Sequence, residues 1–170
     1  LVGPATLPDS WQRHFVDSMQ LAALLPEGKG KLYDLGSGAG FPGLVLAIMR
    51  SDLDVSLIES DQKKCAFLST VSHETKTPVK ILTQRIEVAA ESLPAPDVVT
   101  ARALAHLSTL LHSIKPWVEK NPDLVCIFPK GAQAAAEIEA ARAVAAFDVT
   151  AHESVTDQAA RILILSEIRS

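Results

Sequence analysis

The sequence has only two cysteines in 170 residues, and they suit neither a metal site nor a disulfide framework. Cys65 and Cys126 lie in segments with the patterns of a helix and a strand, and no C-x-x-C spacing is present. Two thiolates are too few for a tetrahedral zinc site made of protein ligands. We therefore expect two buried free thiols and no metal.

Long apolar runs are also missing. No stretch reaches the roughly 18–20 consecutive apolar residues that a membrane-spanning helix needs. The opening Leu1-Val-Gly-Pro-Ala5 has neither the basic region nor the apolar stretch of a signal peptide. We therefore expect a cytoplasmic protein that does not contact the membrane. Because the first residue is Leu rather than Met, we also expect further sequence upstream of it.

The chain lacks an excess of positive charge. Its 16 Lys and Arg residues face 20 Asp and Glu residues, which gives a formal net charge of −4. Since positive charge attracts proteins to nucleic-acid phosphates, any RNA contact must come from a local basic patch. The remaining composition, 48% hydrophobic and 21% charged, is ordinary for a globular protein. We expect a single domain of 170 residues that acts as a monomer.

Apolar runs bounded by turn signals alternate with amphipathic segments, which is typical of βα units in a parallel sheet. The predicted strands are Lys31–Leu35, Val55–Glu59, Val79–Thr83, Asp97–Ala101, Leu124–Phe128, Phe147–Glu153 and Arg161–Ile168. The predicted helices are Pro42–Arg50, Asp61–Lys76 with Ser60 as N-cap, His106–Val118 and Gln133–Ala146. The last two strands are too close together for a parallel crossover. The fold class is therefore α/β, a doubly wound, mostly parallel, seven-stranded Rossmann-like sheet with an antiparallel C-terminal edge hairpin.

We expect residues 1–30 to form a helical lead-in, and residues 31–170 to form the catalytic core. The segment Pro8–Leu21 has the pattern of a capped helix. Trp11, Phe15, Val16 and Met19 share one stripe of that helix. We expect this stripe to pack on the sheet.

A glycine-rich segment, Asp34-Leu-Gly-Ser-Gly-Ala-Gly-Phe-Pro-Gly43, follows the first predicted strand. Glycines at such a turn allow the backbone to approach a ligand closely and leave N–H groups at the start of the next helix. Two nucleoside ligands compete for the loop. Its second half spells G-x-G-x-x-G, the dinucleotide fingerprint, which is a weak signal for an NAD-dependent oxidoreductase.

Acidic residues near the loop favour the other ligand, S-adenosylmethionine. Asp34 lies two residues before Gly36, where a carboxylate would repel a pyrophosphate but can reach the amino group of a methionine moiety, directly or through water. Glu59 ends the second predicted strand, where a carboxylate can accept both ribose hydroxyls. Both ligands contain ribose, so Glu59 predicts a nucleoside cofactor and Asp34 favours the sulfonium one.

Two common acceptor chemistries lack their residues. Exocyclic-amine methyltransferases carry an N/D-P-P-Y/F/W box after the fourth strand, where this chain reads Thr100-Ala-Arg-Ala-Leu-Ala105. Cytosine-C5 enzymes need a thiolate nucleophile, and Cys126 lies inside a predicted strand. Methylation of a ring nitrogen such as guanine N7 needs alignment and water exclusion, not a general base. A non-catalytic nucleoside-binding module remains an alternative.

Several elements resemble, in order and spacing, the bacterial small-subunit rRNA guanine-N7 methyltransferases, also called the glucose-inhibited division protein B family. They are Arg13-His-Phe-Val-Asp-Ser18, the glycine-rich segment, Arg85-Ile-Glu87, Ala101-Arg-Ala103, Pro129-Lys-Gly131 and Arg161. The resemblance covers nearly the whole chain. It implies a methyltransferase sheet and methyl transfer from S-adenosylmethionine to N7 of a guanine in 16S rRNA, either free or in an assembling small subunit.

The resemblance and the motifs together define the candidate site residues. The predicted cofactor-binding residues are Asp34, Gly36, Gly38, Gly40, Phe41, Glu59, Ile86, Glu87 and Arg102. No catalytic residue is assigned; the candidates for substrate alignment are Arg102, Lys130, Arg13, His14 and Arg161. We expect Lys130 to contact a phosphate, because it follows the fifth strand at the edge where open α/β sheets bind ligands. Arg13 and His14 are equally consistent with a solvated helix face, and Arg161 with a snorkelling side chain.

Two departures from the family pattern are visible. The family usually has more helical sequence before its R-H-x-x-D-S element, and it has Leu or Ala where this chain has Pro129 before Lys-Gly.

Overall fold

The computed structural model describes residues 11–28 and 30–169. Seven strands form one sheet in the order β3-β2-β1-β4-β5-β7-β6. The strands are β1 Lys31–Leu35, β2 Asp54–Ile58, β3 Lys80–Leu82, β4 Val98–Ala101, β5 Val125–Lys130, β6 Ala146–Glu153 and β7 Arg161–Arg169. The first five pair in parallel, and β7 runs antiparallel to both β5 and β6. The predicted fold class, including the C-terminal hairpin, is confirmed.

Helices cover both faces of the sheet. Residues 11–24 form a continuous helical segment made of a π-helical part, Trp11–Val16, then α1, Asp17–Met19, and a 3-10 part, Gln20–Leu24. The other helices are α2 Gly43–Met49, α3 Gln62–Glu74, α4 Ile86–Ser92, α5 Leu107–Lys120 and α6 Ala134–Ala141. Two apolar clusters result, one under residues 11–25, α2 and α3, the other under α4, α5 and α6. Neighbouring strand residues alternate between them: Leu32 belongs to the first and Tyr33 to the second.

Three helix predictions need correction. Helix α4 was not predicted, because its seven residues are too few for a clear helical period. Helix α3 is capped by Asp61 rather than Ser60, since the Asp61 carboxylate accepts the amides of Lys63 and Lys64 at 2.8 and 3.2 Å. Helix α6 ends at Ala141, because the alanine-rich pattern runs on into residues that turn the chain and begin β6.

The predicted apolar stripe of the N-terminal segment does not pack on the sheet. Trp11 is 64% exposed, and Phe15 and Met19 are 37% and 38% exposed. The buried side chains are instead Ser18 and Leu21. A π-helical stretch advances fewer degrees per residue than an α-helix, so the α-helical period gave the wrong face. Residues 8–10 of the predicted helix lie outside the described residues.

The strand order places a crevice between β1 and β4. The chain leaves β1 towards β2 and leaves β4 towards β5, in opposite directions across the sheet. Doubly wound sheets bind ligands at such a switch point, at the carboxyl ends of the strands. In the described parts of the chain no helix combines the length and apolarity needed to cross a bilayer. Cys65 and Cys126 are buried free thiols, as expected.

Candidate functional site

The glycine-rich loop connects β1 to α2 at the switch point. Gly36 and Gly38 have φ of +60° and +55°, a region that side-chain-bearing residues seldom adopt. A Cβ on Gly36 would lie 2.6 Å from Leu104 Cδ1, so a side chain there would have to displace the Leu104 side chain. At Gly38 the nearest atom is a carbonyl oxygen at 3.7 Å, which leaves open space beside the backbone. Gly38 therefore leaves room for a ligand beside the main chain.

Glu59 follows β2 and faces the same loop. Its side chain is 7% exposed. One carboxylate oxygen, Oε2, accepts the Gly38 amide at 3.0 Å, and Oε1 accepts the Asp61 amide at 2.9 Å. Glu59 therefore ties the glycine loop to the end of β2 while it borders a cavity.

Asp34 lies beneath the loop rather than in a cavity wall. It is fully buried, and Oδ1 accepts the Thr100 hydroxyl at 2.8 Å. Oδ2 has no hydrogen bond of good geometry in the described structure, although the nearby Gly43 amide favours the ionised form. Burial raises the pKa of Asp34 to about 6, against the hydroxyls of Ser37 and Thr100, which lower it. Direct contact between Asp34 and a cofactor stays a prediction.

A first cavity, the loop cavity, of about 360 Å³ lies beside these residues. It brings together five of the predicted cofactor residues from four parts of the sheet edge: Gly36, Glu59, Ile86, Glu87 and Arg102. Asp34, Gly38, Gly40 and Phe41 are not among its lining residues.

A second cavity, the strand-end cavity, of about 1180 Å³ opens at the carboxyl ends of β4 and β5. Four of the candidates for substrate alignment line it: Arg13, His14, Arg102 and Lys130. Arg161 does not, and its guanidinium donates to the carbonyls of Gln158 and Ala160 at 2.7 and 2.8 Å. Residues 102–105 border both cavities, so this segment separates them.

Arg102 joins the end of β4 to the N-terminal segment. Its guanidinium donates to the Arg13 carbonyl and to His14 Nδ1, both at 3.1 Å, and lies 3.7 Å from Asp17 Oδ2. Because Arg can only donate, His14 Nδ1 must accept and the imidazole is neutral. Burial, then the Arg102 charge, lower the pKa of His14 accordingly.

Phe41 packs within this contact. The Arg102 guanidinium lies 5.4 Å from the Phe41 ring centroid, and the His14 ring stacks on Phe41 at 5.3 Å. Phe15 meets the same ring edge-on at 5.0 Å. Phe41 thus anchors the N-terminal segment in this structure, and its predicted contact with the cofactor remains untested.

Three polar contacts clasp the N-terminal segment to the β6–β7 loop, residues 154–160. Gln20 donates to Ser154 Oγ at 3.1 Å and accepts the Val155 amide at 2.9 Å. Thr156 donates to Asp17 Oδ1 at 2.8 Å. These contacts hold residues 154–160 over one side of the strand-end cavity.

Lys130 lies at the base of the strand-end cavity and is already paired. Its ammonium group donates to the Ala105 carbonyl at 2.6 Å and lies 2.8 Å from Glu137 Oε2. The side chains of Lys130 and Glu137 are only 8% and 15% exposed. In this structure Lys130 therefore braces the segment after β4 and does not present a free ammonium group to a phosphate.

Sequence reasoning missed three residues that organise the site. Asp17 stands inside the R-H-x-x-D-S element, so its signal was available. Leu104, which covers Gly36, and Glu137, which pairs with Lys130, carry no local motif. Only the tertiary contacts show their roles.

The chain is similar to curated relatives along almost its whole length. The family model "rRNA small subunit methyltransferase G" matches residues 1–164. The ribosomal RNA small subunit methyltransferase G of Rhodospirillum centenum is 51% identical over 99% of this chain and 76% of the relative. That of Paramagnetospirillum magneticum is 47% identical over 99% of this chain and 80% of the relative.

Solved structures show the same fold at low sequence identity. A ribosomal protein L11 methylase from Lactobacillus delbrueckii subsp. bulgaricus has a TM-score of 0.70 at 17% identity, covering 88% of this chain and 75% of that chain. A magnesium protoporphyrin IX methyltransferase from Synechocystis PCC 6803 with bound SAM has a TM-score of 0.66 at 15% identity. The match covers 100% of this chain and 86% of that chain. The sequence resemblance is confirmed: with a family model matched over residues 1–164 and a relative that is 51% identical over 99% of this chain, the chain belongs to the rRNA small subunit methyltransferase G family.

Proposed function

We propose that this chain transfers a methyl group from S-adenosylmethionine to N7 of a guanine in 16S rRNA. Membership of the rRNA small subunit methyltransferase G family makes it an S-adenosylmethionine-dependent methyltransferase and disfavours the NAD-dependent alternative. One structural observation carries the finer assignment. Two cavities, one lined by nucleoside-recognising residues and one larger and open, meet at residues 102–105 on the switch-point edge.

The residues of the loop cavity fit the cofactor. Glu59 is a buried carboxylate beside the glycine loop, where it can accept ribose hydroxyls in place of the Gly38 amide. Ile86 offers an apolar flank for the adenine, next to Glu87. The buried Asp34 carboxylate, with Oδ2 unsatisfied, places negative charge near a ligand that carries a sulfonium and an ammonium group. The same charge opposes a pyrophosphate. Bound there, S-adenosylmethionine supplies an electrophilic methyl group on a positively charged sulfur.

The strand-end cavity fits a neutral base better than a row of phosphates. Its acidic and basic lining is balanced, with Arg13, Arg102 and Lys130 against Asp17, Glu137 and Asp157. Guanine N7 needs no deprotonation, because its in-plane lone pair forms the new N–C bond while the S–C bond breaks and its electron pair stays on sulfur. No proton leaves, so no general base is required. The base becomes cationic, which the acidic members of the lining stabilise.

Arg102 stands at the junction and is the main candidate for alignment. A bidentate pair between its guanidinium and guanine O6 and N7 would occupy the lone pair that must react. Productive binding therefore leaves Arg102 to hold O6 alone, a phosphate or the carboxylate of the cofactor. We favour the cofactor carboxylate, because Arg102 also lines the loop cavity.

Mass mapping of 16S rRNA after incubation with isotope-labelled cofactor tests the proposal. We expect one labelled guanine whose glycosidic bond is labile, as N7-methylation makes it. Label on an exocyclic amine or on a pyrimidine would contradict the proposal. Calorimetric binding of S-adenosylhomocysteine without any methylation would identify a non-catalytic nucleoside-binding module. Binding of NAD would support the NAD-dependent oxidoreductase instead.

We propose further that a single chain acts on the RNA in the cytoplasm. Sedimentation of the protein alone tests the monomer. Free 16S rRNA and assembling small subunits, assayed in parallel, identify the preferred substrate.

A further inference from the structure

We infer that Glu137 is a positioning residue for methyl transfer: it holds residues 102–106, the β4–α5 corner, in place between the two cavities. The corner carries Arg102 and separates the loop cavity from the strand-end cavity. Its position therefore sets how the cofactor and the acceptor face each other. The inference rests on the proposed function, because the alignment concerns that reaction.

Glu137 reaches the corner by three routes from helix α6. Oε2 accepts the backbone amide of Leu107, the first residue of α5, at 2.8 Å. The same oxygen lies 2.8 Å from the Lys130 ammonium group, which in turn donates to the Ala105 carbonyl at 2.6 Å. Oε1 lies 3.9 Å from His106 Nδ1. One carboxylate from a distant helix therefore holds the amide that follows the corner, lies near His106 and reaches Ala105 through Lys130.

The corner has little support of its own. His106, the N-cap residue of α5, makes no side-chain capping bond, and Glu137 instead satisfies the Leu107 amide, one of the first four amides of the helix, which have no partner within it. Ala103 has φ of +50°, which a residue with a Cβ rarely adopts unless its surroundings enforce it. Leu104, which follows Ala103 in the chain, packs over Gly36. A shift of the corner would move Arg102 and Leu104 together.

The negative charge of Glu137 is needed as well as its hydrogen bond to the Leu107 amide. Lys130 is 8% exposed, and a buried ammonium group without a partner is strongly unfavourable. Removal of the Glu137 charge should drive Lys130 towards solvent and release the Ala105 carbonyl. Lys130, Leu107 and His106 all favour the charged carboxylate, and they hold the pKa of Glu137 below its ordinary value although burial opposes this.

Two substitutions separate the hydrogen-bond acceptor of the Glu137 side chain from its negative charge. Glu137→Ala removes both, and Glu137→Gln retains an oxygen that can accept the Leu107 amide. Glu139→Gln is the matched control, since Glu139 lies exposed on the same helix. We expect Glu137→Ala to lower kcat on 16S rRNA by about 10- to 100-fold, the scale of an alignment error of about 1 Å. Glu137→Gln should restore part of that loss, and Glu139→Gln should leave kcat unchanged.

Cofactor affinity and hydrogen exchange distinguish positioning from general damage. Affinity for S-adenosylhomocysteine should fall less than kcat, because Arg102 is the one predicted cofactor residue within the corner, while Glu59 and the glycine loop do not contact Glu137 in the described structure. Exchange of the Leu107 amide should accelerate in Glu137→Ala, while amides of β1 and β5 keep their protection. Equal losses in kcat, affinity and global protection would overturn the inference, and so would wild-type kcat in a folded variant.

Lys130→Met provides a second test through a double-mutant cycle. If Glu137 acts through Lys130, the two single variants and the double variant should lose similar factors in kcat. If Lys130 instead contacts a phosphate, Lys130→Met should raise the KM for RNA. The slope of the logarithm of RNA affinity against the logarithm of salt concentration should fall by about one, and the losses of the two single variants should add in the double variant. Additivity overturns the inference. Absence of guanine methylation by the wild type would contradict the proposed function alone, and exchange at Leu107 would still decide whether Glu137 holds the corner.

Discussion

Replacement of Asp34 by Asn should make the protein more stable near neutral pH. The folded-state pKa of about 6 exceeds the ordinary 3.8 because the carboxyl is fully buried. Between those values the folded state binds more protons than the unfolded chain, so stability falls as pH rises from about 4 to about 6. Above pH 6 the whole cost of ionising the buried group is present. The difference between 3.8 and 6 corresponds to about 3 kcal/mol.

The net stabilisation by Asp34→Asn should be smaller than the cost of ionising the buried carboxyl. The Thr100 hydroxyl can still donate to an amide oxygen, but that bond loses its ionic character and the new NH₂ group needs acceptors. We assign about 1–2 kcal/mol to these losses. Asp34→Asn should therefore stabilise the chain by about 1–2 kcal/mol near pH 8, and destabilise it by a similar amount near pH 3, where the wild-type carboxyl is mostly neutral in both states.

Urea unfolding of both proteins across this pH range measures the effect. The decisive quantity is the change in the stability difference, about 3 kcal/mol between pH 3 and pH 8, because constant contributions cancel. A difference that stays constant with pH would refute the assignment of a raised pKa to Asp34. Calorimetry with S-adenosylhomocysteine should show weaker binding to the more stable variant, since the buried charge that favours the ammonium group of the ligand is gone.

Three further substitutions test the site. Gly38→Val should abolish cofactor binding in a folded protein, as measured by calorimetry, whereas Gly28→Val imposes similar backbone strain at φ +88° outside the site and should bind normally; equal affinities would remove the loop from the cofactor site. Glu59→Ala should weaken cofactor binding by about 1–3 kcal/mol, and unchanged affinity would mean that the ribose is held elsewhere. Arg102→Ala should raise the KM for S-adenosylmethionine, whereas Arg142→Ala, which loses a comparable contact with Phe147, should not. Normal cofactor affinity with lower kcat would assign Arg102 to the base, and normal values of both would exclude it from the site.

The sheet was predictable because its signals are local. Each strand is a short apolar run between turn residues, and the brief Ser154–Ala160 connection already requires an antiparallel hairpin. The glycine loop was predictable for the same reason. Its location at the switch point follows from the strand order, which the sequence alone does not display.

The electrostatic organisation of the site could not be predicted in this way. Nothing in the sequence distinguishes Glu137, which turns towards Lys130, from Glu139, which stays exposed two residues later. The alternation of β1 places Asp34 against Gly43 under the loop, a burial that its position before the glycines did not reveal. The face that the N-terminal helix buries depends on a π-helical stretch, Trp11–Val16, which no residue pattern predicted.

The clasp between Gln20, Asp17 and residues 154–156 joins two regions of the chain that are synthesised far apart in time. Its contacts span 134 to 139 residues, nearly the whole described length. Contacts of such separation form late, because the loop they close must first be ordered by other interactions. A nascent chain can therefore assemble β1, β2 and the glycine loop before the β6–β7 hairpin leaves the ribosome. The strand-end cavity gains its last wall only after synthesis of the hairpin, so we expect a growing chain to form the loop cavity before the strand-end cavity.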